Sequence, residues 1–191
     1  MKAQTQPLPK DAALIIIDVQ KGFDDPSWGR RNNPQAESNI ARLLDAWRKT
    51  GRPLFHIQHR SRMPGSLLGP ESPGFEFKDA AKPHSGEPAI QKNVNSAFIG
   101  TDLEARLRQK GLKTLVFAGL TTDHCVSTTA RMAGNLGFDA YVVSDATATF
   151  DRVGPDGKHY NAEEVHAISL ASLHEEFATV VDTENLLKRL K

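Results

Sequence analysis

The stretch KTLVFAGLTTDHCVSTTA, residues 113–130, decides the fold class. KTLVFAG is a nearly continuous apolar run, the pattern of a strand buried on both faces of a parallel sheet. The chain then turns and begins a helix that the spacing predicts from about Asp123 to Leu136, closed by Gly137. A buried strand feeding a helix is the repeating unit of α/β architecture. The first turn of that helix holds Cys125, the only cysteine in 191 residues. A buried cysteine is commonly a small hydrophobe, and Cys125 could pack beside Val126. It could also be a nucleophile at a helix N-terminus, where the dipole and free N–H groups favour a thiolate.

The same unit recurs outward along the chain. ALIIID (13–18) is a β-branched strand ended by Asp18, and PQAESNIARLLDAWRKTG follows as a helix with Asn33 as its cap and Pro34 at its first position. Ala36, Ile40, Leu43, Leu44 and Trp47 give this helix one apolar stripe, and Gly51 stops it. Strands are expected at PLFHIQH (53–59), Ala89 to Lys92, DAYVVSDA (139–146) and FATVVDT (177–183). Helices are expected at TDLEARLRQKG, where Thr101 and Glu104 form a capping-box pattern, at about Ala162 to Glu175, and at TENLLKRLK. Residues 60–89 are rich in Gly and Pro without sustained period, and a loop that long in a compact domain is more often a functional wall or lid. The prediction is a three-layer α/β/α protein, doubly wound around a mainly parallel sheet of about six strands, with residues 1–191 forming a single domain.

Composition narrows the function classes. The net charge of +1, from 24 basic and 23 acidic residues, gives no footprint for nucleic acid or an anionic membrane. The longest apolar run, Ala12 to Ile17, is far short of the ~18 residues of a membrane span. The segment MKAQTQPLPK lacks the apolar core of a secretory signal. One cysteine cannot form an internal disulfide, so a reducing, cytoplasmic compartment is expected. Gly-rich phosphate-binding fingerprints are absent, and no cofactor is expected.

Ligands of open α/β sheets collect beyond the carboxyl ends of the strands. Asp18, Lys92 and Cys125 all fall on that edge. Singly, each has an innocent reading: a loop carboxylate, a solvated amine, a core thiol. Together they change the balance, because a carboxylate ending a wholly apolar strand needs a partner to offset its desolvation, and an ammonium would serve.

DVQKGF (18–23), IQKNVNSAF (90–98) and GLTTDHCVSTTA (119–130), in that order, resemble the cysteine hydrolase superfamily of isochorismatases, nicotinamidases and related amidohydrolases. The likeness runs from the first strand through Asp145–Ala146 to the last two helices. It implies an Asp18–Lys92–Cys125 triad, an oxyanion hole from the backbone N–H groups of Thr121 and Cys125, and a cis peptide between Leu120 and Thr121. Asp18 would take the thiol proton, Lys92 would hold Asp18 ionised, and Cys125 would pass through a thioester while a small amide or lactam is cleaved. A vinyl-ether hydrolase of the isochorismatase type is the alternative, and a non-catalytic small-molecule-binding protein on the same fold is the alternative from another class. Homo-oligomers are common in the family and are expected here.

Nicotinamidases of that superfamily hold a metal through Asp-x-His at the end of the second strand. This chain has HIQHRSR (56–62), with His59 near the aspartate position and Ser61 near the first histidine. Strand alternation sends His56 and His59 to opposite faces, and the other histidines lack zinc-like spacing, so no metal is expected. Phe23 matches a pocket-wall aromatic of the family. Trp28 either joins that wall or packs as a lid residue, and His124 either lines the pocket or faces solvent. Arg30 and Arg31 are candidates for holding an anionic substrate.

Overall fold

The computed structural model describes residues 6–190; the N-terminal residues MKAQT, part of the segment read above as no signal, and Lys191 lie outside them. A six-stranded sheet is built from β1 (Ala13–Ile17), β2 (Leu54–His59), β3 (Ala89–Lys92), β4 (Thr114–Leu120), β5 (Asp139–Ala148) and β8 (Thr179–Val181), with a separate hairpin of β6 (Arg152–Val153) and β7 (His159–Tyr160). The sheet order is β3-β2-β1-β4-β5-β8, and every neighbouring pair is parallel. The helices are α1 (Ala36–Thr50), α2 (Leu103–Gln109), α3 (Ser127–Asn135), α4 (Ala162–Leu173) and α5 (Thr183–Lys188).

Alternation along β1 explains the three layers. Ala13, Ile15 and Ile17 pack in one apolar cluster with residues of α2, α3 and α4, whereas Leu14 and Ile16 pack in the other with α1 and α5. The α1 stripe is fully buried, and Trp47 Nε1 donates to Ala12 O at 2.9 Å. The expected three-layer α/β/α fold is therefore present, with a sheet that is parallel throughout.

Local signals misplace two helix starts. Asn33 does not cap α1: its backbone is left-handed, at φ 44°, and its Nδ2 donates to Ser144 O and Thr147 O. The helix begins after Gln35, leaving Pro34 outside. Thr101 Oγ1 donates to Ala97 O, and Glu104 pairs with Arg108, so the predicted capping box does not form. A reciprocal box does form at α4, between Asn161 and Glu164. The helix expected from Asp123 is preceded by a π-helical turn, Thr122–Val126, before α3.

Residues 60–89 pass across the carboxyl end of β1 and β2. Gln58 Nε2 donates to Phe75 O, and Lys78 N–H to Val19 O, so the segment is bonded along the edge where the candidate residues lie. Among the described residues, no helix is long and apolar enough to cross a membrane.

β1 and β4 meet very closely at the same edge. Gly119 lies opposite Ile17 at φ 130°, and a Cβ there would stand 2.0 Å from Ile17 O. Backbone cannot yield that far without separating the strands. Gly119→Ala is expected to cost about 3 kcal/mol through overpacking and strain, measured as a fall in the urea-unfolding free energy.

Candidate active site

Four strand ends deliver the site. Asp18 follows β1 in a left-handed conformation, at φ 52°, with its N–H on Ile57 O. The alternating burial of β3 turns Ile90 and Lys92 inward, and Lys92 stands opposite His59 of β2. Cys125 sits on the π-helical turn after β4. The Leu120–Thr121 peptide that opens this turn is cis.

These side chains converge on one ammonium. Lys92 Nζ lies 2.5 Å from Asp18 Oδ2, 3.3 Å from Cys125 Sγ, 3.1 Å from His59 Nδ1 and 3.1 Å from Val94 O. Asp18 and Lys92 are both fully buried, and Cys125 nearly so. Four acceptors compete for three N–H protons, so one of them always has a weaker share.

Burial governs the protonation states. It pushes the Asp18 carboxyl up, against the pull of Lys92. It pushes the Cys125 thiol up as well; the Asp18 charge adds to that shift and Lys92 opposes it. Sulfur therefore rests as a thiol. Burial, followed by the Lys92 charge, lowers His59, leaving a neutral ring whose Nδ1 accepts from Lys92 and whose proton sits on Nε2.

Gln20 holds this corner together, a role the sequence reading did not assign. Its Oε1 accepts from His59 N at 2.8 Å, and its Nε2 donates to His59 O and Phe75 O. Thr129 Oγ1 accepts from Ala97 N and fixes the segment after Lys92, while Thr122 Oγ1 meets His166 Nδ1 at 2.9 Å. On the flank, Phe23, Trp28 and Phe150 pack ring on ring, with centroids 5.1 to 6.2 Å apart. Phe150 was missed because nothing in the sequence spacing links it to Phe23.

His124 is about half exposed, and its ring contacts Asp123 rather than the triad. Arg30 and Arg31 do not stand free for an anion. Arg30 is bonded to Glu163 and Asp151, and Arg31 holds Glu37 in a two-pronged pair.

His56 and His59 do face opposite ways, His56 being bonded to Glu87 at 2.8 Å. Asp18, His59 and Cys125 nonetheless offer metal-type ligand atoms within 4.8 Å of one another. The Lys92 ammonium touches all three, so a second cation would meet a fixed positive charge at contact distance. A metal ion does not fit this arrangement.

Fold and site together place the chain among three-layer α/β proteins that gather their polar groups at the carboxyl edge of a parallel sheet. More narrowly, the isochorismatase domain family matches residues 12–185, and the chain belongs to this family of hydrolases. It is similar to the isochorismatase family protein YrdC of Bacillus subtilis, with 53% identity over 92% of this chain and 94% of that protein. A solved isochorismatase-family structure from Chromobacterium violaceum superposes with a TM-score of 0.96 at 47% identity, covering 100% of this chain and 98% of that one. An isochorismatase from Pseudomonas putida follows at TM-score 0.87 and 36% identity, covering 94% and 92%.

The ion pair makes a stability prediction. Lys92→Met leaves Asp18 buried without its cation and should cost about 3–5 kcal/mol near neutral pH. The bare carboxyl then has a folded pKa still further above its unfolded value of ~3.9. Stability is lost as pH rises between those two values, so the deficit should shrink at about pH 5. Adding Asp18→Asn should remove that pH dependence; both effects are read from denaturant midpoints across pH.

Proposed function

We propose that the chain is a metal-independent cysteine hydrolase that cleaves the C–N bond of a small amide or lactam through a thioester. One observation carries the reading: a buried carboxylate and a buried thiol share a single ammonium, at 2.5 and 3.3 Å. A structural ion pair would have no need of the sulfur. A relative named as an amidase supports it, nicotinamidase 3 of Arabidopsis thaliana, 29% identical over 96% of this chain and 91% of its own length. Streptothricin hydrolase of Streptomyces noursei is 32% identical over 73% of this chain and 50% of its own length.

In this mechanism Asp18 takes the thiol proton as Sγ attacks the carbonyl carbon. The C–S bond forms, and the carbonyl electron pair moves to oxygen. Backbone N–H groups of Thr121 and Cys125 receive that oxyanion. On collapse the C–N bond breaks and the departing amine takes the proton from Asp18. Water then attacks the thioester with Asp18 as base, restoring the thiol. Lys92 keeps its charge throughout and stabilises whichever of carboxylate or thiolate is negative. Phe23 and Trp28 form an aromatic wall for the substrate, with His124 at the mouth.

A second reading follows from the raised Asp18. A carboxyl raised by burial could act as an acid on a vinyl ether with little use of sulfur.

Cys125→Ala separates the two. The thioester route expects loss of turnover by a factor of about 10³ or more and loss of the acyl adduct that intact-mass spectrometry detects on the parent chain across an amide library. Near-full activity of the alanine variant sinks it.

The amide route also fixes a pH profile. Asp18 must be ionised, and burial raises it while Lys92 lowers it, with Cys125 and His59 coupled to the same charge. The value of kcat/KM should therefore fall on the acid side at a pH above the ordinary carboxylate value of ~3.9.

A further inference from the structure

His59 ends β2 beside the triad, and the mechanism leaves it without a task. Its backbone is gripped on both sides by one buried side chain: Gln20 accepts the His59 N–H on Oε1 at 2.8 Å and donates from Nε2 to His59 O at 3.0 Å. Parallel register sets His59 directly opposite Lys92, and the N–H of Arg60, the next residue, donates to Lys92 O at 2.7 Å. Fixed backbone thus delivers the half-buried ring to the ammonium, with Nδ1 3.1 Å from Lys92 Nζ. Ligand atoms of His59, Asp18 and Cys125 all lie within 4.8 Å of one another.

The ammonium has three protons for four acceptors: Asp18 Oδ2 at 2.5 Å, Val94 O and His59 Nδ1 at 3.1 Å each, and Cys125 Sγ at 3.3 Å. These acceptors differ in kind. A carboxyl oxygen, a backbone carbonyl and a neutral imidazole nitrogen accept well, whereas the sulfur of a thiol accepts weakly. While sulfur keeps its own hydrogen, the third ammonium proton therefore rests on His59. A thiolate is a charged and much stronger acceptor, and as it forms it has to take that proton back from the ring. Ionising Cys125 thus costs the Lys92–His59 hydrogen bond in addition to desolvation of the sulfur. Burial, followed by the Lys92 charge, lowers His59 and keeps the ring neutral, so that Nδ1 stays an acceptor near neutral pH.

We propose that His59 is a positioning residue that acts through Lys92: by holding one ammonium proton on Nδ1, it withholds that proton from Cys125 and keeps the resting nucleophile a thiol. This rests on the thioester reading for the use made of the sulfur, but not for its ionisation. In that reading Asp18 is the base, so the proton has to start on Sγ. A sulfur that ionised in the empty site would pass its proton to Asp18 before any carbonyl arrived. Lys92 retains its three protons throughout, and only their distribution among the acceptors changes.

The titratable groups that face this exchange are Asp18 from the end of β1, His59 from β2, Lys92 from β3 and Cys125 from the turn after β4. On that turn, Asp123 accepts from Thr149 and Arg152, and His124 lies against Asp123.

Cys125 is the only cysteine, so the ultraviolet absorbance of a thiolate, compared between a chain and its own Cys125→Ala counterpart across pH, reports this sulfur alone. His59→Leu removes the acceptor at similar size. The thiolate midpoint is expected to fall by about one pH unit, and alkylation by iodoacetamide at neutral pH to quicken about threefold, because nucleophilicity falls along with the thiol pKa. His59→Asn places its Oδ1 near the position of Nδ1 and should return most of the shift, which a role in packing alone would not do.

An unmoved or raised midpoint in the leucine variant overturns the proposal, as does an asparagine variant that behaves like leucine. His59→Met, equally poor in acceptors, takes the place of leucine if the melting midpoint shows that the leucine chain does not fold. Failure of the thioester reading shows separately, as amide turnover that survives Cys125→Ala with His59 intact, while the thiolate midpoints still report the sharing of the ammonium.

Discussion

The Lys92 ammonium is the point on which the carboxyl edge of the sheet is organised. It is wholly buried, and it reaches three other segments: the end of β1 through Asp18, the end of β2 through His59, and the turn after β4 through Cys125. Burying a lone ammonium or a lone carboxylate would be very costly, so each makes the other tolerable. The sulfur is then placed where negative charge can form without further rearrangement. Preorganisation of this kind is what a charge-building transition state requires, because no solvent has to reorient when the thiol proton leaves. In the proposed mechanism, the same buried charges that would strain a structural core supply the chemistry.

This pair in turn depends on a sheet whose strands end level. Ile17 lies opposite both Ile57 and Gly119, and His59 lies opposite Lys92, so parallel register alone brings four strand ends to one line. Gly119 lets β1 and β4 approach closely there, and the register shift between β4 and β5 falls between Phe117 and Gly119. A second glycine contact serves the outer wall: a Cβ on Gly74 would stand 2.7 Å from Gly22 Cα, so the loop after β1 and the segment 60–89 touch backbone to backbone. Gln20, in the loop after β1, ties that contact to the end of β2 through its bonds to Phe75 and His59.

Much of this was legible in the sequence for a simple reason. A charged residue at the end of an apolar strand is anomalous in one dimension, and Asp18 announces itself that way, as Cys125 does by standing alone; Lys92, which closes the short strand AIQK, is singled out by its place at the same edge and by the resemblance carried by IQKNVNSAF. The layers follow equally directly from alternation in β1 and the stripe on α1. What the sequence concealed depends on which partner wins a contest. Asn33 has the chemistry of a cap but is drawn to the Ser144 and Thr147 carbonyls, and Thr101 is drawn to Ala97. His59 was placed by analogy to a metal site, yet its Nδ1 serves Lys92. Arg30 and Arg31 looked available for an anion because their acidic partners, Glu163, Asp151 and Glu37, come from sequence positions that no local rule connects.

The wall beside the site shows how loops without regular structure can still be held firmly. Lys78 Nζ lies 2.6 Å from Asp24 Oδ1 and 2.7 Å from Glu37 Oε1, and Arg31 grips the same Glu37. Burial would raise the Glu37 carboxyl, but the two cations override it and hold it down to about 2. That charge cluster clips the loop bearing Phe23 and Trp28 to the first turn of α1 and to the segment 60–89. Its cations and carboxylates satisfy one another, so it is a fastening and not a ligand seat. Among the described residues, Arg60 and Arg62 have no such carboxylate partner. The contrast separates two loops at the carboxyl edge: the one bearing Phe23 and Trp28 spends the charges around it on being held in place, and the one after β2 keeps two arginines outside any ion pair of that kind.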